Sequence, residues 1–297
     1  MALAFDLQSH STHSDGTLPA HEVVERAAQA GVELLALTDH DTVSGVSEAL
    51  AAGERDGVRV VRAVEISSID DGGAGVAGNA PVARELHILG YDVDHTSASM
   101  TAALAEFLAD RERRTLRMRD ALREVGFDLD EAEIRTRIAE GKPIGRPHLA
   151  GAVLRAPANA QRLRTEGIDD VGSLIRAYLI DGKPAFRLRE TPTVAQAIEA
   201  IHGAGGVAVW AHPFWDVSDD GEVLDAIERF HAHGVDGVEA FYITHTRANT
   251  QLLVGRCTEL DLLSTGSADF HGPENRQFSK FMAFDTYGFQ PNLGPIA

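Results

Sequence analysis

The stretch Leu34-Leu35-Ala36-Leu37-Thr38-Asp39-His40-Asp41 sets four consecutive apolar residues directly before an Asp-His-Asp triplet. An apolar run without polar alternation reads as a strand buried on both faces, as in a parallel sheet. The triplet then falls at the strand's carboxyl end. The same punctuation recurs along the chain. A strand expected at 4–7 is followed by His10, His13 and Asp15 in DLQSHSTHSDG, and one at 58–64 ends in Glu65. His87 lies within a strand at 86–89, and strands at 207–210 and 235–238 lead into His212 and Glu239. A last strand at 262–264 is followed by Asp269 and His271 in GSADFH.

Helical patterns fall at 20–30, 43–56, 194–203, 223–233 and 247–260, most of them between those strands. Pro19 stands where helices start, and Gly31, Gly57 and Gly234 where they stop. Repeated strand–helix units predict an α/β, barrel-like fold. The rhythm breaks from 96 to 181, which is rich in Ala, Arg and Glu and opens with one long helix expected at 99–125. The organisation is thus a barrel from 1–95 and 182–297 with a helical insertion at 96–181. Gly72–Gly78 (GGAGVAG) reads as a flexible loop; without a Lys-Ser/Thr partner it is no phosphate-cradling P-loop.

Composition narrows the function. A formal charge of -18 disfavours tight binding of long duplex nucleic acid, though bound cations would reverse the local sign for a small substrate. No run approaches the roughly 20 apolar residues of a membrane span, and no basic and apolar leader opens the chain. The single cysteine, Cys257, sits in LLVGRC as a buried thiol and fits a reducing compartment, so a cytoplasmic location is expected.

A barrel brings the carboxyl ends of its strands to one mouth, so imidazoles and carboxylates from at least six strand ends would meet there. Such a concentration of negative charge calls for divalent cations, and a nitrogen and oxygen donor set suits Mn, Fe or Zn. Each residue alone has a plainer explanation: Asp41 could cap the following helix, and Glu65 could be a surface acid. Their shared place at nearly every strand end is what favours metal binding. Glu239 is the weakest member and stays outside the expected ligand set.

In this order the segments DLQSHSTHSDG, LTDHD, VEIS, HILGY, IGRPH, GGVAVWAHP and GSADFH resemble the PHP (polymerase and histidinol phosphatase) family of metal-dependent phosphoesterases. The similarity is to its small bacterial members that dephosphorylate AMP-like and nucleoside 3',5'-bisphosphate substrates or trim short RNA 5' ends. The resemblance implies a distorted seven-stranded (β/α) barrel with two or three divalent ions (Mn, Zn or Fe). One ion would use His10, Glu65 and Asp269; a second would share Glu65 and add His87 and His212; a third would use Asp15, His40 and His271. Glu65 would bridge, and a hydroxide generated at the metals would attack phosphorus.

The family motif begins His-x-His, and here the first position is Gln8. Its neutral amide oxygen is a poorer donor than imidazole, so the ion nearest His10 is expected to bind more weakly or through water. Arg146 and His148 in IGRPH match the family's Arg-x-His segment, which holds the substrate phosphate; Arg146 pairs bidentately with phosphate oxygens. His148 is also the candidate proton donor to the leaving oxygen, and His245 in FYITHT is a further substrate contact. From the residues alone, Arg146 could equally be an exposed arginine in a turn opening a helix at Pro147.

Arg111, Arg113, Arg114, Arg117, Arg119 and Arg123 have Glu106, Asp110 and Glu112 as partners at helical spacing, so an ordinary solvated helix is expected there. The expected partner is a small phosphorylated substrate, a nucleotide or short oligonucleotide. Two alternatives stand beside the phosphoesterase. An amidohydrolase acting on C–N bonds would want an intact His-x-His and a bridging lysine at a strand end, and no strand end carries lysine. A decayed metal-binding domain has only Gln8 in its favour.

Overall fold

The computed structural model describes residues 3–72 and 83–297. Among them seven strands form one sheet in chain order: β1 (Phe5–Asp6), β2 (Leu34–Leu37), β3 (Arg59–Asp70), β4 (Arg84–Tyr91), β5 (Val207–Trp210), β6 (Gly237–Tyr242) and β7 (Leu263–Ser267). Its two edges come together. The Leu7 N–H donates to the Gly266 carbonyl at 3.2 Å, and Ser9 bridges Phe270 in parallel, giving a nearly closed barrel. Most of the loop expected at 72–78 lies outside the described residues.

Helices α1 (Ala20–Gln29) and α2 (Val46–Asp56) follow β1 and β2. α3 (Ala98–Glu124) follows β4, and α4 (Ala132–Ala139), α5 (Arg146–Arg155), α6 (Ala160–Glu166) and α7 (Val171–Leu174) come next. α8 (Val194–Gly203) precedes β5, α9 (Pro213–Asp216) and α10 (Asp220–Ala232) follow it, and α11 (Arg247–Glu259) links β6 to β7. The starts and stops are chemical. Thr193 and Gln196 exchange hydrogen bonds of 2.9 and 3.3 Å in a box at the start of α8. Gly57 closes α2 at φ 75°, a left-handed conformation that costs glycine nothing.

Alternation along the strands decides what faces inward. Leu34 and Ala36 of β2 join Phe5, Leu7, Val61, Ala63, Leu89, Tyr91 and Val209 in one buried cluster. Leu35 and Leu37, one residue out of phase, pack with Val23, Val24 and Ala27 of α1 and Ala49 and Ala52 of α2. Glu65 shares the inward phase of Val61 and Ala63, and His87 that of Leu89 and Tyr91. The apolar floor and the polar rim are therefore one face of the same strands.

The structure corrects the expectation of a parallel barrel. β4 runs antiparallel to both β3 and β5, with Asp70 opposite Arg84 and Ser67 opposite His87. A parallel crossover needs a connection that returns the chain to the same end, usually a helix, and no helical pattern separates β3 from β4. β3 also continues five residues past Glu65, and β6 starts two residues later than expected and runs to Tyr242.

The described chain divides into two compact units. One comprises the described residues up to Leu104 together with Pro192–Ala297; the other is Ala105–Thr191, later at both ends than the 96–181 read from composition. The second unit is helical and has its own core, including Met118, Leu122, Phe127, Ile144, Leu149, Val153 and Leu179. Two of its arginines are less solvated than expected, while Arg113 is exposed and pairs with Asp110 at helical spacing as expected. Arg111 and Arg114 are buried, donating to the Ile144 and Arg187 carbonyls at 3.1 and 2.7 Å. Arg117 pairs with Glu190 at 2.6 Å, and Arg123 with Glu131. These side chains brace the unit.

Candidate metal centre

Glu65 is the hub of the barrel site. It is fully buried on β3, and its Oε1 lies 2.5 Å from His87 Nδ1 and 3.4 Å from His212 Nε2. Its Oε2 lies 3.1 Å from His10 Nε2 and 3.5 Å from His40 Nδ1. His40 reaches it because the turn after β2 continues the sheet for one bridge, His40 beside Glu65. Asp269 Oδ1 is 3.0 Å from His10 Nε2 and 3.6 Å from His271 Nδ1. Asp15 Oδ1 is 3.7 Å from His10 Nδ1 and 3.5 Å from His271 Nε2, and its Oδ2 is 3.7 Å from His40.

Three sets of donor atoms converge within 4.8 Å of one another: His10, Asp15, His40 and His271; His40, Glu65 and His87; and His10, Glu65 and Asp269. The last is the set that the resemblance implies for one ion. His40 joins Glu65 and His87 where the resemblance puts His212. His212 stands outside these sets, although its Nε2 remains near Glu65.

These residues fit a cation by an independent criterion. His10 Nε2, His87 Nδ1, His212 Nδ1 and Asp269 Oδ1 are buried polar atoms that make no hydrogen bond. Orphaned atoms of this kind are costly in a native core unless an additional ligand satisfies them. Two of the positions are also strained, His212 at φ 32° and Asp269 at φ 56°, as is Asp41 at φ 54° beside His40. Non-glycine residues stay in this region only when their surroundings hold them. Here the His212 N–H donates to Glu239 at 2.9 Å, the Tyr242 hydroxyl donates to Asp269 Oδ2 at 2.8 Å, and Asp41 accepts the Ser67 N–H at 3.0 Å.

The electrostatics are those of a tightly packed ion cluster. Burial alone would lower the His10 pKa, but the closely placed Asp269 and Glu65 carboxylates outweigh it and hold it well above 6.5. His212 follows the same logic and rises to about 9. Burial would raise Glu65, yet the His40 and His87 charges, with His10 beside it and the His212 hydrogen bond, hold it well below the usual carboxylate range.

Gln8, which stands where the motif of the resembled family begins with histidine, is hydrogen-bonded within the protein through both ends of its amide. Its Nε2 donates to Glu65 Oε2 at 3.0 Å, and its Oε1 accepts from Ser267 Oγ at 3.3 Å. Ser267 Oγ also lies 2.6 Å from Glu239 Oε1. Glu239 thus lies behind the site, where burial pushes its pKa up to about 8. His245 is held neutral, pushed down to about 4 mainly by burial; its Nδ1 donates to the Ala240 carbonyl at 3.1 Å and its buried Nε2 makes no hydrogen bond. Arg146 and His148 belong to the second unit, at the start of α5, where His148 Nδ1 accepts the Gly145 N–H at 3.2 Å.

Sequence reasoning missed the supports: Asp39, which accepts Ser11 N–H, Ser11 Oγ and Ser14 Oγ at 2.8, 2.7 and 2.5 Å, and Tyr242. Asp39 had a visible signal in the Asp-His-Asp triplet. Tyr242 had none beyond ending an apolar strand.

Residues 6–147 match the PHP domain. The chain is 35% identical over 273 residues to a 5'-3' exoribonuclease of Haemophilus influenzae, covering 92% of each chain. It is 32% identical to a phosphoribosyl 1,2-cyclic phosphate 1,2-diphosphodiesterase of Eggerthella lenta, over 91% of this chain and 95% of that one. A 3',5'-nucleoside bisphosphate phosphatase of Chromobacterium violaceum is 31% identical, over 90% and 87%. Two solved structures superpose along most of the chain. One, described as an amidohydrolase from Chromobacterium violaceum with bound sulfate and no metal, has a TM-score of 0.77, 28% identity and coverage of 98% and 92%. The other, from Bifidobacterium adolescentis and assigned as a metal-dependent phosphoesterase, has a TM-score of 0.73, 26% identity and coverage of 93% and 91%. The chain belongs to the PHP-domain family of metal-dependent phosphoesterases.

Proposed function

We propose that the protein hydrolyses the phosphate monoester of a small nucleotide-like substrate: an AMP-like nucleotide, a nucleoside 3',5'-bisphosphate or a short RNA 5' end. The observation that carries this reading is Glu65, fully buried and with four imidazole nitrogens within 3.5 Å of its two oxygens. The proposed cofactor is two or three divalent ions, Mn, Zn or Fe, held by His10, Asp15, His40, Glu65, His87, His212, Asp269 and His271. When bound, such ions neutralise phosphoryl charge and lower the pKa of water.

The chain's own residues supply the rest. Glu65 presents both carboxylate oxygens and would help to hold more than one ion; Tyr242 fixes Asp269, and Ser14, 3.4 Å from His10 Nδ1, orients that ring. Gln8 completes the ligand set only if its amide turns away from Glu65 and Ser267, so in its present orientation it positions Glu65. Arg146 and His148 are proposed to hold the substrate phosphate, with His148 giving the proton to the leaving oxygen. Neutral His245 offers an acceptor for a substrate hydroxyl. A reducing compartment, the cytoplasm, suits the buried lone thiol Cys257, and no helix among the described residues is long and apolar enough to cross a membrane.

Purified protein loaded with Mn²⁺ should release inorganic phosphate from nucleotide monoesters and lose that activity in EDTA. Amide hydrolysis without phosphate release would favour the C–N hydrolase. Tight metal binding with neither activity would favour a non-catalytic domain.

A further inference from the structure

We propose that Trp215 and Phe278 form a stacking platform for the base of the substrate, so that this enzyme prefers base-bearing nucleotides to base-free sugar phosphates. The proposal rests on the phosphoesterase reading above and narrows it. The relatives include a protein named for RNA and one named for a phosphoribosyl cyclic phosphate, which carries no base.

Trp215 is 48% exposed, the most exposed of the large apolar side chains among the described residues. It stands three residues after His212, on the short helix α9 that the strained His212 backbone turns away from β5. Its ring is fixed from two sides. It meets Tyr242 at 6.3 Å and 79°, and Phe278 at 5.6 Å and 60°. Both contacts are T-shaped, so neither ring takes the parallel position against the indole that a flat base would occupy.

Both supports are in turn tied to the metal centre. The Tyr242 hydroxyl donates to Asp269, and the half-buried Phe278 ring lies 5.5 Å from the His271 ring. The Phe278 carbonyl accepts the His271 N–H at 2.9 Å, while its own N–H donates to Asn275 Oδ1 at 2.9 Å. The rings are therefore pre-set rather than loose. An exposed indole forgoes the stabilisation that burial would bring, and a rigid aromatic surface two ring contacts from a phosphate-directed cluster matches a nucleotide, whose sugar spans base and phosphate. A base-free sugar phosphate offers these rings no flat π-face to stack on.

The test compares AMP with ribose 5-phosphate on the Mn²⁺-loaded enzyme. In Trp215→Ala the ratio of kcat/KM for AMP over ribose 5-phosphate should fall about tenfold or more, mainly through KM for AMP, and Trp215→Phe should restore most of it. AMP should also quench the indole emission of wild type, and Trp215→Phe should lose that response while buried Trp210 remains. An unchanged ratio, or quenching that survives in Trp215→Phe, would overturn the platform. Failure of wild type to hydrolyse either ester would instead count against the phosphoesterase reading, and the emission titration would still decide whether a base binds at Trp215.

Discussion

At the scale of single residues, Gln8 is the most informative departure. Where an imidazole would donate to a cation, its amide bonds to Glu65 and Ser267. Gln8→His is expected to raise the metal content measured by elemental analysis and to tighten metal binding about 10–100-fold. Wild type that already carries three tightly held ions would show the idea to be wrong. Glu65→Gln should strip metal and activity together, because a neutral amide removes the charge on which four histidines converge. Retained metal in that variant would place the hub elsewhere.

At the scale of elements, the segment between β1 and α1 delivers two donors, His10 and Asp15, from one tight excursion. Gly16 makes the excursion possible, since a Cβ there would lie 2.2 Å from the His10 carbonyl oxygen. Gly16→Ala should therefore cost about 1–3 kcal/mol in denaturant titration, and should weaken metal binding as the His10 backbone is displaced. A variant as stable and metal-rich as wild type would mean that the turn relaxes freely. The element boundaries were readable to within a few residues where proline or glycine marked them. β6 was misplaced because Val235 and Asp236, read as its start, form the approach to the strand. α2 begins at Val46 rather than 43 because Thr42 and Ser44 hydrogen-bond each other ahead of it.

At the scale of the whole molecule, cation binding and folding stability are linked through the buried acids and imidazoles. In the metal-free protein His10 and His212 have raised pKa values, the latter to about 9, so their stabilisation is complete below about 6.5 and is lost as pH climbs through the folded values. Glu239 and Asp6, raised by burial to about 8 and about 7, act in the same direction, because the folded state holds their protons longer than the unfolded one. The melting temperature of EDTA-treated protein should therefore drop between pH 6.5 and 9. Cation binding displaces protons from the imidazoles, so the gain in Tm on adding Mn²⁺ should widen over the same interval. A gap that narrows with rising pH would contradict the proposed ligands.

From the amino-acid order alone came the periodicities and their punctuation: seven apolar runs, helices between most of them, and histidines or acids at the run ends. Those signals are local, set by backbone preference and by which face a side chain takes, so they suffice for an α/β barrel and for the candidate ligands. The antiparallel course of β4, the placement of His40 beside Glu65, the orientation of Gln8 and the exposure of Trp215 beside the site were decided only by tertiary structure. Each depends on which distant strand or ring lies opposite, and a residue carries no local mark of a neighbour dozens of positions away.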